Sequence, residues 1–284
     1  MFPVVYFSFA RGDNRFVHDL ASVNFLTLAA SDVRIPALSG AALYGKGVFT
    51  TVAIHDRTPF LWEKHWRRLK ENSDRLGIDI SDFPEAKTRE ALDELIRANL
   101  VHDGRGRVTF FDESPGGLWS VDGSASKTSL LITTADPRSQ AEHFRLGVSP
   151  FTINSASPLA GVKSSNYLEK IASLATARDG GFDESIQLNE RGEIAAACMA
   201  NVFWLKDGEL FTPDLATGCL AGTTREFLME NTAVSEVRSG IESMHIADEI
   251  FLTSAGLGVV HVSEFEGRIL KRQPHPITEL LRHE

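Results

Sequence analysis

Cysteine is nearly absent: Cys198 and Cys219 are the only two in 284 residues, and they do not form a CxxC pair. That excludes a disulfide framework and a cysteine metal centre, so no metal is expected and both read as small buried thiols. Cations are also scarce. The 29 Lys and Arg residues face 38 Asp and Glu, a formal net charge of -9. Nucleic-acid binding draws on counterions released by clustered Lys and Arg, so no nucleic-acid partner is expected. Long apolar runs are missing too. The opening Met1-Phe2-Pro3-Val4-Val5-Tyr6 has no basic leader and is soon broken by Arg11, Asp13 and Arg15, which predicts a cytoplasmic protein with no membrane association. There is no Walker A loop, no HExxH helix and no GxSxG elbow, which removes those enzyme classes. Gly45-Lys46-Gly47 lacks the third glycine of a dinucleotide fingerprint and precedes a strand-like run, so it reads as a tight turn.

What is present is an ordinary globular composition, 43% hydrophobic and 24% charged, enough for one large core or two modest ones. Strand-like runs at Val48 to Ile54, Val108 to Phe111 and Leu130 to Ile132 alternate with two helical stretches. The first helix carries Trp62, His65, Trp66, Leu69 and Leu76 at spacings near three or four and closes at Gly77; the second runs from Glu85 to about Leu100. A Ser/Asn/Pro/Ala/Gly-rich stretch, 151–161, reads as a connection. The expected organisation is an N-terminal α+β domain over 1–150, this connection, and a C-terminal domain over 162–284. The latter opens with a helix from Ser165 to Arg178, continues in strands at Ser185 to Leu188, Val202 to Leu205 and Glu249 to Thr253, and has a further helix after Gly222.

Lys163 stands directly after the connection, in the small and apolar setting Leu159-Ala160-Gly161-Val162-Lys163-Ser164-Ser165-Asn166-Tyr167. Burial of an amine disfavours the ammonium and frees the lone pair that attacks an aldehyde. The setting alone does not single out a catalytic residue, because an isolated lysine between small residues is commonly solvated.

The order of motifs around it does. Tyr44-Gly45-Lys46-Gly47-Val48-Phe49, His65-Trp66-Arg67-Arg68-Leu69, Val162-Lys163-Ser164-Ser165-Asn166-Tyr167-Leu168, Asn201-Val202-Phe203-Trp204, Thr212-Pro213, Leu220-Ala221-Gly222-Thr223-Thr224-Arg225 and Ala247-Asp248-Glu249-Ile250-Phe251-Leu252-Thr253-Ser254-Ala255 follow one another along the chain. In that order they resemble the class IV aminotransferases, including the branched-chain and D-amino-acid aminotransferases and aminodeoxychorismate lyase. The resemblance implies a two-domain α+β fold, with a smaller N-terminal α/β domain and a larger C-terminal domain built on a mixed, barrel-like sheet. It implies pyridoxal 5'-phosphate as cofactor and Lys163 as the residue that forms the Schiff base. Arg68, Tyr167, Thr223, Thr224 and Ser254 are implied as further cofactor-binding residues, and Tyr44, Lys46, Thr50 and Arg107 as lying near the substrate. The partners implied are a small-molecule amino donor, a 2-oxo acid acceptor and a second copy in a homodimer.

Two departures bear on the reaction. The family places a glutamate five positions before the motif asparagine, where it pairs with the protonated ring nitrogen; here that position is Ala196. Glu193 is not expected to substitute, since on a strand it points away from the face of Ala196. Loss of a charge-assisted hydrogen bond of about 1.5 to 3 kcal/mol would slow a carbanion-forming step by about ten- to a hundred-fold. Secondly, Phe49-Thr50-Thr51 and Ala200-Asn201-Val202-Phe203-Trp204 resemble the lyase branch, whereas Tyr167 resembles the transaminases. In Gly116-Gly117-Leu118-Trp119-Ser120 the lyase-like arginine is replaced by Leu118. Transamination is therefore the expected activity, impaired by Ala196. The alternatives are an aminodeoxychorismate lyase releasing pyruvate and 4-aminobenzoate, and a non-catalytic cofactor-binding descendant.

Overall fold

The computed structural model describes residues 17–114, 127–139, 141–272, 277 and 280. They fall into two compact units. The first holds the described residues up to Arg138 together with Val162–Asn166; the second holds Ser139–Gly161 and the residues from Tyr167 on. The glycine- and serine-rich connection thus lies inside the second unit, and the lysine segment returns to the first.

In the first unit the strands are β1 (Leu20–Val23), β2 (Leu26–Ala29), β3 (Gly47–His55), β4 (Thr58–Pro59), β5 (Gly104–Asp112) and β6 (Thr128–Ala135), with helices α1 (Gly40–Tyr44), α2 (Trp62–Leu76) and α3 (Glu85–Ala98). The sheet order is β2-β1-β6-β5-β3-β4, antiparallel throughout. Apolar residues recur at helical spacing on α3, where Ala91, Leu92, Leu95 and Ile96 are buried, and they close over Val48, Val52, Phe110 and Ile132 of the sheet. Each fully buried aliphatic side chain of this kind contributes about 1.5 to 3 kcal/mol. The first helix ends where expected: Gly77 adopts φ 60° and caps the last carbonyls, a left-handed conformation that costs glycine least.

The second unit contains β7 (Arg145–Val148), α4 (Leu168–Asp179), β8 (Glu184–Leu188), β9 (Ile194–Ala197), β10 (Asn201–Lys206), β11 (Glu209–Pro213), α5 (Thr223–Asn231), β12 (Ser235–Val237), α6 (Glu242–Ile246), β13 (Glu249–Ser254), β14 (Gly258–His261), β15 (Glu264–Phe265) and β16 (Arg268–Ile269). They form two five-stranded mixed sheets, β12-β11-β10-β13-β14 and β16-β15-β7-β8-β9. One apolar cluster joins them, with Leu146 and Ile186 from one sheet and Val202, Trp204, Ile250 and Leu252 from the other. The β10–β11 hairpin turns at Asp207 and Gly208, φ 51° and 83°, the two positive values that the tight hairpin turn requires.

One boundary differs from the sequence reading. The helix after Lys163 begins at Leu168, not Ser165. The amide of Ser165 donates to the Gly47 carbonyl at 2.8 Å and the Lys163 carbonyl accepts from Phe49 at 3.0 Å, so the residues before Asn166 are extended along β3. Serine has only modest helix propensity, and tertiary pairing overrides it here.

Candidate active site

Lys163 is placed by this added edge strand, in which Ser164 bridges Val48 in antiparallel register. Successive side chains on a strand alternate. Val162 therefore enters the apolar core, while Lys163 turns over the Phe49 ring, its Nζ 4.4 Å from the ring centroid. The Arg107 guanidinium also stacks on Phe49, at 3.6 Å, so a lysine and an arginine share one aromatic ring.

The next residue of β3, Thr50, meets α2. Its hydroxyl accepts from Arg68 Nη2 at 2.9 Å and lies 2.6 Å from His65 Nδ1. His65 and Arg68 are three residues apart on α2 and so share its inner face. Thr50 therefore bridges His65 and Arg68. Burial, followed by the positive charges of Arg68 and Lys163, holds the His65 pKa well below its ordinary value. The ring is therefore neutral, and two cations act on one buried histidine.

Two further expected site residues flank Gly45, next to the Lys163 segment, where a Cβ on Gly45 would meet Asn166. Tyr44 ends α1 and is 47% exposed. Lys46 forms an ion pair at 2.9 Å with Asp112, the lysine exposed and the carboxylate buried. The Gly116 to Ser120 segment, with Leu118, lies outside the described residues.

In the second unit, Thr223 and Thr224 open α5 and are buried. The N-cap is Gly222, which has no side chain of its own to cap this helix end. The first N–H groups of a helix have no partner within it and sit at the positive end of its dipole, an arrangement that binds anions. A Cβ at the cap would collide with Asn201 Oδ1, so any larger residue there would have to displace the Asn201 side chain. Asn201 Nδ2 in turn donates to the Leu220 carbonyl at 2.8 Å, and buried Arg225 anchors the helix to the Pro213 carbonyl at 3.0 Å and to Glu236. Ser254 ends β13, one residue beyond the Asn201–Thr253 strand pair. Tyr167 immediately precedes α4 and is half-buried.

Ala196 is buried on β9 opposite Gln187 of β8. The Glu193 carboxylate is engaged elsewhere, with Arg191 and Asn189, each at 2.7 Å.

A family model described as amino-transferase class IV matches residues 47–265. The chain belongs to that family. Among curated relatives it is 28% identical over 252 residues to the aminodeoxychorismate lyase of Bacillus subtilis, covering 86% of each chain. It is 27% identical over 262 residues to a putative branched-chain-amino-acid aminotransferase of Methanocaldococcus jannaschii, covering 88% of this chain and 90% of the relative. The fold is similar to the branched-chain aminotransferase structure from Thermoproteus uzoniensis, with TM-score 0.85, 24% identity, and 93% and 92% of the two chains covered. Class IV aminotransferases are pyridoxal-phosphate enzymes, and the α+β, two-unit architecture agrees with the family fold.

Sequence reading picked out Arg68 but passed over His65 as one letter of a motif. Its signal was its place three residues before Arg68 on the buried helix face. Gln187, a polar residue inside an otherwise apolar strand, was passed over as well.

Proposed function

We propose that the chain is a pyridoxal-phosphate-dependent aminotransferase that moves an amino group between an amino acid or amine and a 2-oxo acid, working as a cytoplasmic homodimer. The observation that carries this reading is Lys163, held by backbone hydrogen bonds on an edge strand with its amine over Phe49. The residues present fit a phosphorylated aldehyde. A lysine amine suits the aldehyde, while the buried Arg68 guanidinium and the buried Thr223–Thr224 start of α5 each suit a phosphate.

When bound, the cofactor supplies an aldehyde that bonds amines and a ring that draws electrons from the neighbouring carbon. Lys163 would hold the aldehyde through its amine, and would hold and return the α-proton at Nζ. Arg68 in the first unit, and in the second the Thr223 and Thr224 amides and the Ser254 hydroxyl, would each suit the phosphate, and Tyr167 would suit the ring. Neutral His65 adds no charge beside Lys163, and through Thr50 it fixes the Arg68 guanidinium. Thr50 therefore acts on Arg68, while Arg107, with Tyr44 and Lys46, is assigned to the substrate side and suits a carboxylate.

The test is borohydride reduction of the protein after incubation with pyridoxal phosphate, followed by peptide mapping. A stable adduct on the peptide containing Lys163 is expected, lost in Lys163→Ala; an unmodified wild-type protein sinks the reading. A panel of amino donors and 2-oxo acids then reads the activity. Pyruvate released from aminodeoxychorismate without an acceptor would move the chain to the lyase side of the family. Bound cofactor with no turnover of any donor would make it a binding protein. Light scattering reads the dimer.

A further inference from the structure

The β7-β8-β9 sheet has two unlike faces. Ile186 and its cross-strand partner Ala197 enter the apolar cluster. Their neighbours Gln187 and Ala196, also paired across the strands, point to the other face. That face is polar and lies under α4: Ser173 of the helix is bonded to Ser149 at 2.7 Å and to Cys198 at 3.1 Å, and Cys198 to Ser185 at 3.2 Å. The helix also supplies Lys170, whose Nζ donates to Gln187 Oε1 at 3.4 Å.

That contact decides which way the Gln187 amide points. A lysine amine, charged or neutral, always has a hydrogen to give, so it selects the amide oxygen. The Nε2 group is then the end of the amide turned away from Lys170, on a side chain that is only 3% exposed. Burial pulls the Lys170 pKa below the ordinary lysine value, while Cys198, Glu184 and Glu169 oppose the shift.

Directly opposed residues of an antiparallel pair have Cβ atoms about 4.5 to 5.5 Å apart and share a face. Glutamine has the length of glutamate. Gln187 therefore reaches from the next strand toward the place that a carboxylate at position 196 would occupy, and Ala196 leaves the room. The ladder slips by one residue just past this pair, a bulge of the kind that re-aims side chains.

We propose that Gln187, oriented by Lys170, replaces the missing carboxylate opposite the cofactor ring and donates its amide N–H to the ring nitrogen, keeping that nitrogen unprotonated. The inference rests on the pyridoxal-phosphate reading above. Gln187 is the catalytic residue of the pair and Lys170 its positioning residue. A carboxylate accepts a hydrogen bond and stabilises a protonated ring; an amide N–H backed by a cation needs the nitrogen lone pair. The ring then draws electrons less strongly, which gives Ala196 a chemical purpose beyond the loss of a glutamate.

The experiment loads the protein with cofactor labelled with 15N at the ring nitrogen and reads the resonance of that atom. Wild type should give the unprotonated position. Gln187→Glu, the same shape with an acceptor in place of the donor, should move it to the protonated position. Lys170→Met, which frees the amide to present its oxygen, should move it part-way. Gln187→Leu should retain cofactor roughly two- to tenfold less tightly. A protonated nitrogen in the cofactor-loaded wild type overturns this inference alone, as does a resonance unmoved by Gln187→Glu. Failure of the wild type to bind cofactor, with no borohydride label on Lys163, overturns the pyridoxal-phosphate reading and this inference with it, whereas a labelled Lys163 with a protonated ring nitrogen leaves that reading standing.

Discussion

The first and second units each hold a lysine close to an aromatic ring, and the two lysines differ in what surrounds them. Lys163 stands on an edge strand, 4.4 Å from the Phe49 ring centroid, in a neighbourhood of cations that includes Arg107 and Arg68. Lys170 stands on a helix, 5.9 Å from the Tyr167 ring, with its amine on the Gln187 oxygen and Glu184 among the charges that act on it. At the first site the amine lies over a ring that it shares with a second cation, which suits the proposed bond to an aldehyde. At the second the amine is engaged with a neighbour, which suits orientation.

If the comparison is right, the largest effect falls on the first lysine. Lys163→Ala should abolish borohydride labelling and cut the half-reaction with any productive amino donor by about a thousandfold or more, read by stopped-flow absorbance. Lys170→Ala should leave labelling intact; equal loss in the two variants would break the distinction. Next comes Arg68→Met, which removes the guanidinium proposed to hold the phosphate and should weaken cofactor binding by roughly ten- to a hundredfold, read by equilibrium dialysis. Ala196→Glu returns a carboxylate to the face of Gln187 and should accelerate α-proton abstraction by about ten- to a hundred-fold in single turnover. No gain with cofactor bound normally would mean that the amide cannot be displaced from the ring nitrogen.

The smallest effect is on stability. Folding lowers the His65 pKa, with burial the main cause and Arg68 and Lys163 adding to it. Below the unfolded value near 6.5 the unfolded chain binds a proton that the folded chain refuses. The contribution is therefore present above that pH and is lost as pH falls toward the depressed folded value. Denaturant titrations across this range should show His65→Gln with a shallower acid loss than wild type; parallel curves would place the proton uptake elsewhere.

How much of this was legible beforehand differs between the same two regions. Gly77 and the α2 periodicity announced a helix with His65 and Arg68 on one face, because its period is local and its stop needs a left-handed residue. Gly222 at a helix entrance was likewise readable. The Lys163 segment was misjudged as helix entry, since its extended form depends on Gly47 and Phe49, more than a hundred residues earlier. Gln187 was passed over because nothing local shows that it faces Ala196; the strand register does.

By itself the sequence determined the family, the order of the motifs and the absence of the glutamate at position 196, since each is a matter of residue identity and spacing along one chain. Only the tertiary structure decided that Lys163 lies over Phe49, that Thr50 joins His65 to Arg68, and that Gln187 and Lys170 meet on the face Ala196 leaves open. Those depend on pairings between distant strands, where a slip of one residue would turn every side chain to the opposite face.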